Sequence, residues 1–162
     1  MKNKYKLYLA YGSNMSVEQM RYRCPGAHIY GTAEIKDYRL MYKGSKTGAY
    51  ATIEYDVGQK VPVLVWTITE EDERSLDYYE GFPTFYRKKD VQVEIKSLAG
   101  LKRGEDTAMV YIMDESRKHG IPAPYYEQIL REGYKRFGFN KEILDEAMRY
   151  TRQQIYRELM AE

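Results

Sequence analysis

The run Val61-Pro62-Val63-Leu64-Val65-Trp66-Thr67-Ile68 is apolar at nearly every position. A strand with one wet face alternates apolar and polar residues. This one does not, so both its faces must be covered, as in the wall of a small barrel or in a sheet packed by helices. Pro62 brings no backbone N–H and is expected at the strand's start. Further β-type runs surround it at 29–35 and 38–42, separated by Lys36-Asp37, and at 50–55, before a turn at Asp56-Val57-Gly58-Gln59. A polar loop is expected over 44–48. The segment 85–98 holds Val91, Val93 and Ile95 against Gln92 and Glu94, a strand with one wet face, and 107–113 supplies another after a glycine-punctuated hairpin end.

A second organising stretch is Leu7-Tyr8-Leu9-Ala10-Tyr11-Gly12-Ser13-Asn14-Met15, an apolar strand that runs into a short polar loop. Gly12 can take positive φ without steric cost, and successive backbone N–H groups at such a turn can converge on an anion or an oxyanion. Ser16 with Gln19 has capping-box spacing for a short helix with Val17 and Met20 on its apolar side, closed by Pro25-Gly26. A second helix is predicted from Thr69, with Glu70, Glu71 and Asp72 at its positive end, to about Glu80, with Gly81 at its exit. Apolar stripes predict two closing helices, at about 124–137 and 140–160. One domain spanning 1–162 accommodates all of this.

Charge and cysteine content narrow the partners. With 26 basic and 24 acidic residues, the net charge of +2 supplies no field that implies nucleic acid or an anionic membrane. Basic residues do alternate with tyrosines around Tyr86-Arg87-Lys88-Lys89, but such runs are ordinarily solvated faces. The single cysteine excludes an internal disulfide, no apolar run reaches the roughly 20 residues of a membrane helix, and the first six residues lead into a strand pattern instead of a signal peptide. A cytoplasmic protein is expected. Tyrosine is abundant, 18 residues against 4 Phe and 1 Trp, so hydroxyl-bearing rings must line a core or a pocket.

Glu80 is the residue with the most suggestive surroundings. At a helix C-terminus among rings, in Leu76-Asp77-Tyr78-Tyr79-Glu80-Gly81-Phe82, its carboxyl should resist ionisation and so exchange a proton near neutral pH. The plain alternative is a carboxylate pointing into water. Asp77, three residues earlier, could pair with it, although local solvation is the simpler role. Tyr86, Tyr111, Tyr125 and Tyr126 offer hydroxyls to a pocket or merely rings to a core. Ser13 beside Gly12 lacks the G-x-S-x-G elbow of a serine nucleophile, and Cys24, with only His28 and His119 as imidazoles, has no metal-type spacing. A small, inert, semi-buried thiol is the expectation for Cys24.

Taken in order, Tyr8-Leu9-Ala10-Tyr11-Gly12-Ser13-Asn14, Ala51-Thr52-Ile53, Leu76-Asp77, Glu80-Gly81, Tyr86 and Pro122-Ala123-Pro124-Tyr125-Tyr126 with Gly133 resemble the γ-glutamylcyclotransferase family over about residues 5–139. The resemblance implies an α+β fold, a small, mostly antiparallel β-barrel with flanking helices, and a cavity at the opening loop that takes a small γ-glutamyl compound. It implies intramolecular cyclisation to 5-oxoproline with release of an amine, without metal or cofactor. Glu80 would be the single acid/base; Tyr8, Leu9, Ala10, Tyr11, Gly12, Ser13 and Asn14, with Tyr86, Tyr111 and Tyr126, would bind substrate. Val63 departs from a glycine frequent in the family's strand and is expected to affect the cavity or the barrel's curvature. The final helix lies beyond the clear resemblance, which leaves packing and self-association into a homodimer both open. A catalytically silent small-molecule binder of the same fold is the competing reading.

Overall fold

In the computed structural model residues 5–45 and 47–162 are described. Residues 1–4 and Lys46 lie outside that set, and with them the start of the stretch leading into the first strand and the middle of the expected 44–48 loop, whose Gly44, Ser45 and Gly48 instead belong to paired strands. The first strand, β1, is Lys6–Ala10; β2 is His28–Ser45 and β3 is Gly48–Ile68. After a helix come β4, Tyr86–Lys96, β5, Lys102–Met113, and the two-residue β6, Lys118–His119.

The apolar run is the second half of β3, buried throughout from Val61 to Trp66. On one side it pairs antiparallel with β1, Ala10 opposite Leu64 and Lys6 opposite Ile68, and on the other with β2, Thr32 opposite Leu64. β5 joins β1 in parallel at Tyr8 and Met109, β4 joins β5 antiparallel, and β4 meets β2 at Thr32 and Lys96. The circuit β3-β1-β5-β4-β2 closes on β3, giving a five-stranded barrel that is antiparallel except at β1–β5. Closure accords with the apolar run, which is buried from Val61 to Trp66 within the five-stranded circuit. β6 extends β2 outside the circuit, with His119 opposite Lys43.

Several local expectations change. Pro62 is not at the start of β3 but inside it, opposite Glu34. The β1 pairing ends at Leu64, so on that side Pro62 has no ladder bond to give. The expected break at Lys36-Asp37 and the turn at 56–59 are one irregularity inside two continuous strands. The register jumps from Lys36–Lys60 to Tyr38–Tyr55, Asp37 adopts φ 63° and Gly58 φ 90°, and the Gly58 N–H donates to Asp37 Oδ1 at 3.0 Å. β5 also begins earlier than the pattern suggested, at Lys102.

The helices α1 (Val17–Arg23), α2 (Glu70–Glu80), α3 (Pro124–Phe137) and α4 (Glu142–Met160) follow the predicted order. The Ser16 hydroxyl accepts from the Gln19 N–H at 3.3 Å. Thr69 and Asp72 form a reciprocal capping box on α2, and Gly81 ends that helix in the left-handed region at φ 66°. Asp72, 3% exposed, also accepts from the Gly26 N–H at 3.2 Å, which ties the exit of α1 to the start of α2. Packing is one role of α4: Leu144, Ala147 and Thr151 are buried, and Thr151 Oγ1 accepts from the Tyr42 N–H of β2 at 3.1 Å. Val63 is fully buried opposite Ala33 in the barrel wall. No helix among the described residues is long and apolar enough to cross a membrane.

Candidate active site

At the end of β1 the chain enters a single 3-10 turn, Ser13–Met15, closed by the Met15 N–H on Gly12 O and the Ser16 N–H on Ser13 O. Among the hydrogen bonds of the described residues, none uses the preceding N–H groups of Gly12, Ser13 or Asn14. Gly12 sits at φ −120°, not at the positive φ the sequence suggested. What excludes a side chain here is proximity, since a Cβ on Gly12 would stand 3.1 Å from the Tyr126 hydroxyl. α3 brings Tyr126 to that point. It seats Gly133 against Met15, where a Cβ would meet Met15 Cβ at 3.0 Å.

Loop, barrel rim and the end of α2 enclose a cavity of about 330 Å³. Glu80 and the predicted Tyr8, Leu9, Tyr11, Gly12, Ser13, Asn14, Tyr86, Tyr111 and Tyr126 all line it. Ala10 does not: it is 1% exposed and packed in the core opposite Leu64. Val63 is likewise absent from the lining. Tyr50 and Phe85, which the sequence did not single out, also line the cavity, together with Ala51, Tyr78, Tyr79 and Gly81. Glu80 is the only charged side chain in that lining.

Glu80 is half-buried as a residue, and burial of its carboxyl pushes its pKa up from 4.5 to about 7, against the pull of the Arg23 guanidinium. Both protonation states are therefore populated near neutral pH. Its neighbour is Asn14, whose Nδ2 lies 3.5 Å from Glu80 Oε1 and donates to the Tyr8 hydroxyl at 2.9 Å. The other end of the Asn14 amide, Oδ1, accepts from Arg23, and the Asn14 carbonyl accepts from the Trp66 indole at 3.0 Å. Arg23 and Trp66 carry no motif that sequence alone exposes: one sits at the end of a short helix, the other in an apolar strand.

The tyrosine hydroxyls are largely bound to the protein's own backbone. Tyr11 donates to the Tyr111 carbonyl at 2.6 Å and Tyr86 to the Ala51 carbonyl at 2.7 Å, while Tyr126 accepts from the Ala51 N–H at 3.1 Å. Burial, with the Glu80 charge, raises the pKa of Tyr8, Tyr11 and Tyr126, so these phenols are neutral hydrogen-bonding groups. Asp77 does not pair with Glu80. It accepts from the Tyr111 hydroxyl at 2.6 Å and bridges to Lys88 at 2.8 Å, with Glu73 on the same ammonium. Tyr125 is exposed. Cys24 is 1% exposed, and burial pushes its thiol up to about 12, which makes it inert as a nucleophile. Among the described residues no group of three or more His, Cys, Asp or Glu could hold a metal.

In sequence and in fold the chain is similar to known gamma-glutamyl cyclotransferases. The family model described as gamma-glutamyl cyclotransferase, AIG2-like, matches residues 8–133. The gamma-glutamylcyclotransferase of Homo sapiens is 31% identical over 140 residues, covering 82% of this chain and 71% of the human protein, and that of Mus musculus is 30% identical over 144 residues, covering 84% and 73%. A solved gamma-glutamyl cyclotransferase superposes with a TM-score of 0.77 at 29% identity, over 89% of this chain and 86% of its own.

Proposed function

The chain belongs to the AIG2-like gamma-glutamyl cyclotransferase family and is a gamma-glutamylcyclotransferase, and on that footing we propose that Glu80 is its catalytic acid/base, acting on a small γ-glutamyl amino acid or amine. In this reaction the substrate supplies its own nucleophile. Its α-amine attacks the γ-carbonyl, a five-membered lactam closes, and the bond to the leaving nitrogen breaks. The Glu80 carboxylate takes the proton that the attacking nitrogen loses and returns it to the leaving nitrogen, so 5-oxoproline and a free amine form without consuming water.

The observation that carries this reading is a lone carboxyl with a pKa of about 7, facing a loop of uncommitted amides across a closed-in cavity. The N–H groups of Gly12, Ser13 and Asn14 are placed to hold substrate oxygens and to stabilise the tetrahedral oxyanion. Tyr126 accepts from Ala51 and so keeps its own proton to donate. The ring-lined cavity holds the γ-glutamyl chain folded, with its α-amine against its γ-carbonyl, in a near-attack shape. A cytoplasmic setting suits the buried free thiol of Cys24.

The test is a panel of γ-glutamyl amino acids and γ-glutamyl amines, with 5-oxoproline followed by mass spectrometry. Turnover by the wild type and its loss in Glu80→Gln are expected. A Glu80→Gln enzyme that still cyclises would remove Glu80 from the chemistry.

A further inference from the structure

Building on the acid/base reading of Glu80, we propose that Arg23 is a positioning residue for the cyclisation: bonded to Asn14 and stacked on Tyr79, it fixes which end of the Asn14 amide meets Glu80 and where the Glu80 carboxyl stands.

The two ends of an Asn amide have nearly the same shape but opposite hydrogen-bonding character. A guanidinium only donates, so Arg23 can bind only the oxygen end. With Oδ1 held by Arg23, Nδ2 must turn to Tyr8 and to Glu80 Oε1. The Asn14 backbone is pinned separately by the Trp66 indole, so the amide's rotation is the freedom that Arg23 removes. Released, the amide can present Oδ1 to the carboxylate, an acceptor against an acceptor. The same guanidinium lies 3.3 Å from the centroid of the Tyr79 ring, the residue before Glu80 in the last turn of α2. Arg23 therefore grips both the loop and the helix end that meet at the reacting carboxyl.

Arg23 also sets the local charge. The groups that face Glu80 from the other elements are the phenols of Tyr8, Tyr11, Tyr86, Tyr111 and Tyr126, all neutral. Beyond Tyr111, Lys88 is balanced by Glu73 and Asp77. Arg23 is the cation that opposes the burial of Glu80. Its loss should hold the carboxyl protonated to higher pH.

The experiment is the pH profile of kcat for wild type, Arg23→Gln, Arg23→Lys and Glu80→Gln on one γ-glutamyl amino acid, with folding checked by near-UV circular dichroism. Wild type should show an acidic limb, and Glu80→Gln should be inactive. Arg23→Gln should lose about 10- to 100-fold in kcat, as expected for a misplaced acid/base, and move the limb to higher pH. Arg23→Lys keeps the charge without the planar fork, so it should leave the limb near its wild-type position with a lower kcat. A folded Arg23→Gln with an unmoved limb overturns the positioning role. If that variant does not fold, a wild-type kcat in Arg23→Lys overturns it instead. Retained turnover in Glu80→Gln strikes down the acid/base reading, a result separate from either.

Discussion

Gly133 of α3 and Met15 of the loop turn are so close that a Cβ on the glycine would stand 3.0 Å from Met15 Cβ. Met15 is fully buried and its Cβ is fixed to the backbone, so it cannot give way as the tip of a flexible chain could. Gly133→Ala would gain about 1 kcal/mol of helix propensity, against about 1–3 kcal/mol for overpacking. We expect a net loss of a few degrees in Tm by thermal unfolding. We also expect a raised KM, because α3 carries Tyr126 to Gly12.

Glu80→Gln should be more stable than wild type in a pH-dependent way. A carboxyl whose pKa rises from 4.5 to about 7 on folding is protonated in both states below pH 4.5 and contributes no penalty there. As pH rises through that interval the unfolded chain ionises first and wild type loses stability, reaching a deficit on the order of 3 kcal/mol above pH 7. Urea unfolding of both proteins at pH 4.5, 6 and 8 should show the gap opening with pH. A constant gap would contradict the buried carboxyl.

Tyr86 and Tyr126 hold opposite ends of the Ala51 peptide groups, and their Phe variants should differ. Tyr126→Phe leaves the Ala51 N–H without its acceptor, at about 1–3 kcal/mol for a buried unsatisfied donor. Tyr86→Phe leaves a carbonyl that lost one donor, at about 1 kcal/mol. Tyr126→Phe should also lose more kcat, since it alone removes a proton free to reach substrate. Chemical unfolding and steady-state kinetics on the pair separate the two effects.

Asp72→Ala should destabilise without disabling chemistry. One buried carboxylate accepts from the Thr69 and Gly26 N–H groups, at 3.0 and 3.2 Å, and its loss should cost about 1–3 kcal/mol. It lies outside the cavity lining, so kcat measured well below Tm should persist.

The parts of the molecule legible in its sequence are those where local pattern and final environment coincide. The unbroken apolar run at 61–68 announced a doubly covered strand, and Thr69 with Gly81 bracketed α2, because burial and capping leave marks on adjacent residues. At Glu80 only the adjacent Tyr78 and Tyr79 were legible; the rings that face it across the cavity, Tyr8, Tyr11, Tyr86, Tyr111 and Tyr126, come from other elements. The Asp37/Gly58 bulge read as a turn because a bulge and a turn use the same residues, and only the cross-strand partner distinguishes them. Arg23, Trp66 and Tyr50 carried no signal, since each acquires its role from a contact made by folding. The close approach of Tyr126 to Gly12 was hidden on similar grounds, because Tyr126 comes from far along the chain.

The parallel pairing of β1 with β5 also has a kinetic consequence. The Gly12–Met15 loop hangs from a strand whose two neighbours are β3 and β5, and Tyr11 is fastened to the carbonyl of Tyr111, 100 residues later. During synthesis, α1 and the β2–β3 hairpin can form while the ribosome is still making the second half. That loop cannot be seated until β5 has emerged, and the cavity beside it is incomplete until α3 brings Tyr126. Contacts of such long sequence separation are slow to form, so binding competence should be the last property this chain acquires as it folds.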